Sequence, residues 1–356
     1  MRIYKKRRFI KRLIPILVAI LLVSSLSACG GADTSDEEDA KNDPDKLTIG
    51  MSIDSLIIER WQRDCDVFVA KIKEYESNAD VNIQNANGDI ETQKQQIQYL
   101  IDKNVDALVI VCIDSNSLSE VIDKAHMAGI PVIAYDRLIM NSNVDLYISF
   151  DNEKVGELMG QALVDAGLPN KKVLMLSGPE EDHNVSMITT SFKKVMRENN
   201  VEITDNFHTP NWKAEEAAGY LSEHLNEING VDAIMCGNDN IATRVIRTLA
   251  EARLAGKIKI VGQDADLEAC QRVVEGTQVM TVYKPVEKLA QAAAEYAVQL
   301  AKNKELSGVT NTISDGTNEV PYVFLDPIAV TKDNIDETVI ESGFHTKDDV
   351  YLNVVD

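Results

Sequence analysis

Short apolar runs alternate with amphipathic segments along the chain from Leu47 onward. The runs contain almost only apolar residues, as strands do when both faces of a sheet are covered, and the segments between them repeat apolar residues at helical spacing. Because such strands belong to parallel sheets flanked by helices, we predict an α/β fold with doubly wound parallel sheets. The predicted strands are Leu47–Ile53, Val81–Gln84, Ala107–Ile113, Pro131–Tyr135, Val173–Leu176, Ala233–Cys236, Ile258–Val261 and Val279–Tyr283. The predicted helices include Trp61–Tyr75, Glu91–Lys103, Leu118–Met127, Asn184–Glu198, Glu215–Glu227, Ile241–Ala255 and Val286–Ala301.

One part of this pattern occurs twice. Val105–Ile110 has the sequence VDALVI, and Val231–Cys236 has the sequence VDAIMC. In each copy a helix follows, and the next strand ends at an aspartate, Asp136 in the first copy and Asp264 in the second. We therefore predict two lobes of like topology. Ligands of such sheets bind beyond the carboxyl ends of the strands, which is where both aspartates are expected.

Polar and aromatic residues follow the predicted strands in both lobes. If the carboxyl edges of the two sheets face each other, these side chains converge on one cleft. Indole rings match the C–H faces of a small sugar, while carboxylate, amide and cationic groups match its hydroxyls. Each residue also has a structural alternative, because an aspartate at a strand end is often a helix N-cap and a tryptophan is often part of the core. The candidate binding residues are Arg60, Trp61, Asp136, Arg137, Asn184, Trp212, Asn238, Asp264 and Lys284.

The composition of the chain excludes several classes of function. With 36 basic and 57 acidic residues the net charge is −21, so we exclude nucleic-acid binding, which needs clustered Lys and Arg. The five histidines form no recognisable triad, and neither a nucleophile elbow nor a phosphate-binding glycine loop occurs. We expect neither an enzyme nor a cofactor. A glycosidase that uses Asp136 and Asp264 as its two carboxylates stays open as an alternative.

The cysteines of the globular part lie far apart in the sequence. Cys65, Cys112, Cys236 and Cys270 have neither the spacing of a disulfide framework nor that of a metal site. We predict that they are buried thiols, and we expect no zinc or calcium site.

The first 28 residues have the pattern of a secretory signal. Seven Lys and Arg residues precede the apolar run Leu13–Ser25, which is shorter than the roughly 20 residues that span a membrane. The sequence Leu26-Ser27-Ala28-Cys29 resembles the lipobox of bacterial lipoproteins, in which the cysteine is acylated and becomes the new N-terminus. We predict a lipoprotein signal peptide over residues 1–28 and a lipid anchor on Cys29 at the extracytoplasmic face of the cell membrane. A plain secreted protein is the alternative.

Residues 29–45 contain almost no apolar side chains after Cys29 and are predicted to be an acidic, disordered linker. Cleavage before Cys29 removes seven positive charges and no negative ones, so the net charge falls from −21 to −28. So acidic a chain is repelled by anionic lipids. We therefore expect the lipid anchor, and not the protein surface, to hold it at the membrane.

Several longer stretches of the sequence match a known family: Glu59–Gln62, Gln93–Ile101, Ala134–Arg137, Tyr147–Leu158, Gly262–Leu267 and Thr281–Pro285. On these stretches, residues 46 to about 348 resemble the D-xylose-binding proteins of bacterial xylose ABC importers, within the ribose/galactose-type class of periplasmic binding proteins. The resemblance implies two α/β lobes joined by three crossing segments that close on a sugar. It assigns the crossings to the regions of Ser149–Asn152, Thr281–Lys284 and Ser314–Val320. The first lobe would then be 46–150 plus about 284–315, and the second 151–283 plus about 316–348.

The same resemblance implies the ligand and the partners. It places the sugar between Trp61 and Trp212 and assigns hydroxyl contacts to Arg60, Asp136, Arg137, Asn184, Asn238, Asp264 and Lys284. We expect a monomer that captures D-xylose or a close pentose and delivers it to an ABC permease with cytoplasmic ATPases. The alternative is a sensor input module that docks on a membrane chemoreceptor or a histidine kinase.

Overall fold

The computed structural model describes residues 46–58, 60–228 and 230–354. The predicted signal peptide, Cys29 and the linker up to residue 45 lie outside the described residues. Among the residues that are described, no helix is both long enough and apolar enough to span a membrane.

Helices and strands alternate along the described chain and build two sheets. The strands are β1 (Thr48–Ile53), β2 (Asp80–Asn85), β3 (Ala107–Ile110), β4 (Val132–Tyr135), β5 (Leu146–Phe150), β6 (Lys172–Ser177), β7 (Glu202–His208), β8 (Ala233–Cys236), β9 (Lys259–Gln263), β10 (Met280–Tyr283), β11 (Asn311–Ser314), β12 (Glu319–Leu325) and β13 (Ile328–Val330). The helices are α1 (Arg60–Tyr75), α2 (Ile90–Asp102), α3 (Ser119–Met127), α4 (Asn152–Ala166), α5 (His183–Glu198), α6 (Ala214–Glu223), α7 (Asp239–Glu251), α8 (Leu267–Glu275), α9 (Val286–Ala301) and α10 (Lys347–Val350). A 3₁₀ turn at Pro210–Trp212 and a π-helical turn at Asp336–Ile340 complete the described elements.

The two sheets have the same internal topology. The first has the order β11-β12-β5-β4-β3-β1-β2, and the second has the order β13-β10-β9-β8-β6-β7. Strands β1 to β5 of the first sheet thus correspond in order to β6 to β10 of the second, and these strands pair in parallel within each sheet. The predicted α/β class with two lobes of like topology is confirmed. We call the first sheet with its helices the first lobe, and the second sheet with its helices the second lobe.

The repeated Val-Asp-Ala sequence has the same structural role in both lobes. Its aspartate directly precedes β3 in the first lobe and β8 in the second, and it accepts a backbone hydrogen bond from the start of the neighbouring strand. Asp106 Oδ2 accepts from Thr48 N at 2.7 Å, and Asp232 Oδ2 accepts from Lys172 N at 3.3 Å and from Asn170 N at 2.9 Å. A carboxylate that caps an adjacent strand fixes the register of that strand, which explains why the sequence recurs at this point.

The chain passes between the lobes at three places. These are Asp151, between β5 and α4; the segment between β10 and α9; and Asp326–Pro327, between β12 and β13. The first two coincide with crossings that the resemblance implied, but the third does not lie at Ser314–Val320. Residues 319–325 belong to the first lobe, because Tyr322–Leu325 pair in parallel with β5. The first and third passages are also joined, since Asp151 N donates to Leu325 O at 3.1 Å.

A buried carboxylate ties the β11–β12 hairpin to the loop before β5. Asp315 Oδ2 accepts from the amides of Ser142 and Asn143 at 2.9 and 2.8 Å, and its Oδ1 accepts from Thr317 N at 2.9 Å and Asn318 N at 2.6 Å. Burial by itself raises the pKa of Asp315, but the four backbone donors outweigh it and hold the pKa well below its usual range. Asp315 is therefore ionised in the folded protein at neutral pH.

We expect Asp315→Ala to lower the free energy of unfolding by on the order of 2 kcal/mol, because four backbone amides, that of the buried Ser142 among them, lose their charged acceptor. The folded-state pKa is depressed, so this contribution is fully present above the unfolded pKa of about 3.9 and declines as the pH falls below it. Urea unfolding from pH 3 to pH 7.5 measures the free energy of unfolding of the variant and of the unsubstituted protein. The difference between the two should narrow below about pH 4. Asp333→Ala, which removes an exposed carboxylate, is the control. Equal stability of both variants at pH 7 would contradict this role of Asp315.

Candidate functional site

All nine predicted binding residues line one cavity between the carboxyl ends of the two sheets. The cavity encloses about 330 Å³ of space that no atom fills, part of it open to solvent. The first lobe contributes Arg60 and Trp61 from α1, and Asp136 and Arg137 from the end of β4. The second lobe and the passage after β10 contribute Asn184, Trp212, Asn238, Asp264 and Lys284. The structure also places Ile58, Asn152, Asp182, Ile188 and Gln263 in the lining.

The two aspartates at the equivalent strand ends have the same unusual backbone. Asp136 has φ = 64° and Asp264 has φ = 98°, both in the region that side chains other than glycine rarely adopt. Each amide donates to the neighbouring strand of its own sheet, Asp136 N to Ile148 O at 2.7 Å and Asp264 N to Val282 O at 2.8 Å. Strained backbone of this kind persists where the surrounding structure holds it, and it is concentrated at ligand sites.

In the first lobe, Arg60 lies between two carboxylates. Its Nη2 donates to Asp136 Oδ2 at 2.8 Å and to Asp64 Oδ1 at 3.2 Å, and its Nε donates to Asp64 Oδ2 at 3.3 Å. The hydroxyl of Tyr135 also donates to Asp64 Oδ1. Asp64 is fully buried one turn further along α1, so it fixes the guanidinium plane from behind the cavity.

Arg137 joins the two lobes by charge. Its Nη1 donates to Asp54 Oδ2 at 2.7 Å and to Cys112 O at 2.9 Å, both in the first lobe. Its Nε lies 2.8 Å from Asp182 Oδ2, which precedes α5 in the second lobe. Arg137 therefore reaches the cavity lining with two of its three nitrogens already engaged by protein carboxylates.

Asn184 makes a second connection between the lobes. Its Nδ2 donates to Asp136 O at 2.8 Å, and its Oδ1 accepts from the Tyr147 hydroxyl at 3.1 Å. Close by, Ser115 N donates to Glu181 O at 2.9 Å, and Ser115 Oγ accepts from His183 N at 3.1 Å. The structure thus represents the two lobes closed on each other.

In the second lobe, a buried carboxylate supports the loop that bears Asp264. Asp239 accepts hydrogen bonds from Gln278 Nε2 at 2.9 Å, from Thr281 Oγ1 at 2.5 Å and from Asp266 N at 3.2 Å. Thr281 Oγ1 in turn accepts from Ala265 N at 3.1 Å. Burial raises the pKa of Asp239, although the hydrogen bonds from Thr281 and Gln278 and the charge of Arg272 work against that shift. Its neighbour Asn238 caps α7 by accepting from Ile241 N at 2.9 Å.

The two tryptophans are buried by different means. The guanidinium carbon of Arg60 lies 4.4 Å from the ring centroid of Trp61, a cation–π contact. Trp212 and Asn211 have φ of 56° and 49°, so the indole is presented by strained backbone. The benzo edge of Trp212 packs directly on Gly178 at the end of β6.

The cavity and its immediate supports have an excess of negative formal charge. The buried carboxylates are Asp54, Asp64, Asp136, Asp182, Asp239 and Asp264, and the buried cations are Arg60, Arg137 and Lys284. Burial raises the pKa of Asp64 and of Asp182, and the paired arginines offset only part of that effect. For Asp136, burial also favours the neutral form, but Arg60, Lys284 and Arg137 outweigh it and lower the pKa. Such a site suits a neutral ligand with many hydrogen-bonding groups and disfavours an anion.

The comparisons with known proteins agree with this geometry. A family model described as a periplasmic binding protein domain matches residues 49–305. The chain belongs to the periplasmic binding protein family.

Among relatives of this periplasmic binding protein are two D-xylose-binding periplasmic proteins. The one from Haemophilus influenzae is 44% identical over 310 residues, which cover 86% of this chain and 92% of the relative. The one from Escherichia coli K12 is 41% identical over 310 residues, which cover 86% and 93%. A solved ABC transporter solute-binding protein from Clostridium phytofermentans with bound β-D-glucose superposes with a TM-score of 0.78 at 26% identity, covering 85% of this chain and 99% of that one.

Three polar residues of the cavity in this periplasmic binding protein were missed by the sequence analysis. Asn152 begins α4 at the first passage and donates to Ser149 Oγ at 3.2 Å. Asp182 caps α5 and pairs with Arg137. Gln263 is the last residue of β9, directly before Asp264. The position of Gln263 at a strand end was the available signal, but an apolar strand by itself does not show which of its last residues reaches the cavity.

Gly178 leaves room for the indole of Trp212. A Cβ at this position would lie 2.3 Å from Cη2 of Trp212 and 2.5 Å from its Cζ2, so the ring must shift. We expect Gly178→Ala to displace the ring, to change the near-UV circular dichroism, and to destabilise the periplasmic binding protein by about 1–3 kcal/mol. In α6, Gly219→Ala is the matched control, because among the described residues no atom outside its own helical turn lies within 4 Å of the point that the added methyl group would occupy. An unchanged near-UV spectrum for Gly178→Ala would show that this packing is not present in solution.

Proposed function

We propose that this protein captures D-xylose, or a close pentose, in the cavity between its lobes and delivers it to an ABC importer. The main support is the identity of 41–44% with two D-xylose-binding periplasmic proteins, together with nine predicted sugar contacts that line a single cavity. The protein acts outside the cytoplasm, as these relatives do, and binds its sugar without transforming it.

The chemistry of the cavity supports a neutral sugar. Asp136, Asp264, Arg60 and Lys284 offer charged partners to hydroxyl groups, and such hydrogen bonds contribute about 1.5–3 kcal/mol each in net terms. Several of them together offset the cost of association and leave about 8 kcal/mol, which corresponds to a Kd of about 1 μM. The excess of carboxylates disfavours sugar acids and sugar phosphates.

The contacts between the lobes support capture by closure. Arg137, Asn184 and Ser115 each join one lobe to the other, and these contacts are lost when the lobes separate. We propose that the lobes are rigid bodies and that the three passages are the hinge. A sugar that touches both lobes binds the closed state more tightly and shifts the population toward it. The closed state is then the form that a permease with cytoplasmic ATPases recognises.

The lipid anchor is part of the same proposal. The lipobox at Leu26–Cys29 supports acylation of Cys29. The lipid would hold a monomeric binding protein at the membrane, and the acidic linker would keep the protein away from the anionic lipids.

Titration of the protein with D-xylose, D-ribose, D-glucose, D-galactose and L-arabinose tests the proposed ligand. We expect D-xylose to bind at micromolar concentration by calorimetry, with a change in tryptophan emission. Asp264→Ala should weaken this binding at least about 30-fold, or about 2 kcal/mol, because sugar hydroxyls lose a buried acceptor. Asp333→Ala removes an exposed carboxylate and should leave the affinity unchanged. Failure of all five sugars to bind would overturn the proposed function.

Substitution of Cys29 tests the anchor. We expect Cys29→Ala to release the protein from the membrane fraction, whereas Ser35→Ala, a change in the linker, leaves it bound. Fractionation with immunoblotting, together with incorporation of a labelled fatty acid, measures both effects. Membrane retention of Cys29→Ala without acylation would contradict the lipoprotein assignment and leave sugar binding untouched.

A further inference from the structure

Buried polar atoms without a hydrogen-bond partner are concentrated in the cavity. Among the described residues, four such atoms belong to cavity-lining side chains: Trp61 Nε1, Trp212 Nε1, Gln263 Oε1 and Asp264 Oδ1. Asp264 Oδ1 does have Lys284 Nζ at 3.2 Å, but that ion pair lacks hydrogen-bond alignment. Leaving a buried donor or acceptor unsatisfied costs free energy, so a concentration of them in one cavity indicates groups that a ligand pairs with.

Of these four residues, Gln263 is the one that is not among the nine predicted binding residues. The residue is 2% exposed and lines the cavity. The Nε2 atom donates to Gly237 O at 2.6 Å, which fixes the amide orientation, because a flipped amide would place two acceptors against each other. The Oε1 atom is therefore held as an acceptor that no donor of the described residues uses.

The surroundings of Gln263 keep this acceptor in place. Its backbone belongs to β9, where it pairs with Val282 of β10. Gly237 is held independently, since its amide donates to Leu176 O at 2.8 Å and a Cβ at this glycine would lie 2.7 Å from Gly178 N. Gln263 thus reaches from one fixed strand end to another and needs no ligand to order it.

We infer that Gln263 is a specificity-determining ligand contact whose Oε1 accepts a hydrogen bond from one hydroxyl of a neutral sugar. The inference rests on the proposed function. An amide suits this position better than a carboxylate, because Asp264 is adjacent and Gly237 O requires a donor. Replacing this one hydroxyl by hydrogen or fluorine removes the donor and leaves Oε1 unpaired. The site therefore discriminates against a sugar analogue with that replacement.

The test combines side-chain variants with sugar analogues. Gln263→Met keeps the length of the side chain and removes both the donor and the acceptor, whereas Gln263→Glu keeps an acceptor and removes the donor to Gly237 O. Each variant and the unsubstituted protein are titrated with D-xylose and with its 1-, 2-, 3- and 4-deoxy analogues. Gln95→Met, at an exposed position of α2, is the control. If thermal melting shows that Gln263→Met is unfolded, Gln263→Leu takes its place.

We expect Gln263→Met to bind D-xylose 10- to 100-fold more weakly, yet to bind one deoxy analogue as well as the unsubstituted protein does. Gln263→Glu should still discriminate against that analogue, because it keeps the acceptor. An equal loss for D-xylose and all four analogues would show that Gln263 only supports Gly237, and would overturn the inference while the proposed function stands. An unsubstituted protein that binds no sugar would instead overturn the proposed function, and the inference with it.

Discussion

The site depends on the two ion pairs that the buried guanidinium of Arg137 forms. This guanidinium lies between Asp54 in one lobe and Asp182 in the other, with all three side chains nearly inaccessible to solvent. Removing one partner from a buried ion pair typically costs about 3–5 kcal/mol, because the remaining charge is left uncompensated. The guanidinium therefore does more than line the cavity. It fixes the residue after β1 and the residue before α5 relative to each other. In this arrangement Asn184 Nδ2 donates to Asp136 O.

Buried carboxylates also lie behind other groups of the cavity. Asp64 orients Arg60 from within α1, and Asp239 supports the loop of Asp264 through Thr281. In each lobe a fully buried carboxylate thus holds a group that lines the cavity. Groups held in this way need little reorganisation on binding, so a larger share of the interaction free energy appears as affinity.

Much of this molecule could be predicted from its sequence, and the exceptions have physical causes. Strands with two buried faces are continuous apolar runs, so β1, β3 and β8 were identified directly, and the aspartates that end β4 and β9 marked the cavity. The edge strand β7, with its polar and mostly accessible residues, lacks that pattern and was missed, and β5 was missed as well although all of its residues are buried. The third passage was misplaced because the sequence of β12 does not show which sheet the strand joins, and its pairing with β5 places it in the first. The role of Gln263 could not be predicted because it depends on the carbonyl of Gly237, which is distant in sequence.

The joint between Asp151 and Leu325 limits how the lobes can move. Two of the three passages leave neighbouring parallel strands of one sheet and are tied by a backbone hydrogen bond, and the later one is only Asp326–Pro327. A proline fixes its own φ and restricts the residue before it, so this link has few torsions to change. Rotation at one passage must then be matched at the other. A swing of the lobes about this one edge would keep the Asp151–Leu325 hydrogen bond, whereas twisting or sliding of one lobe against the other would break it.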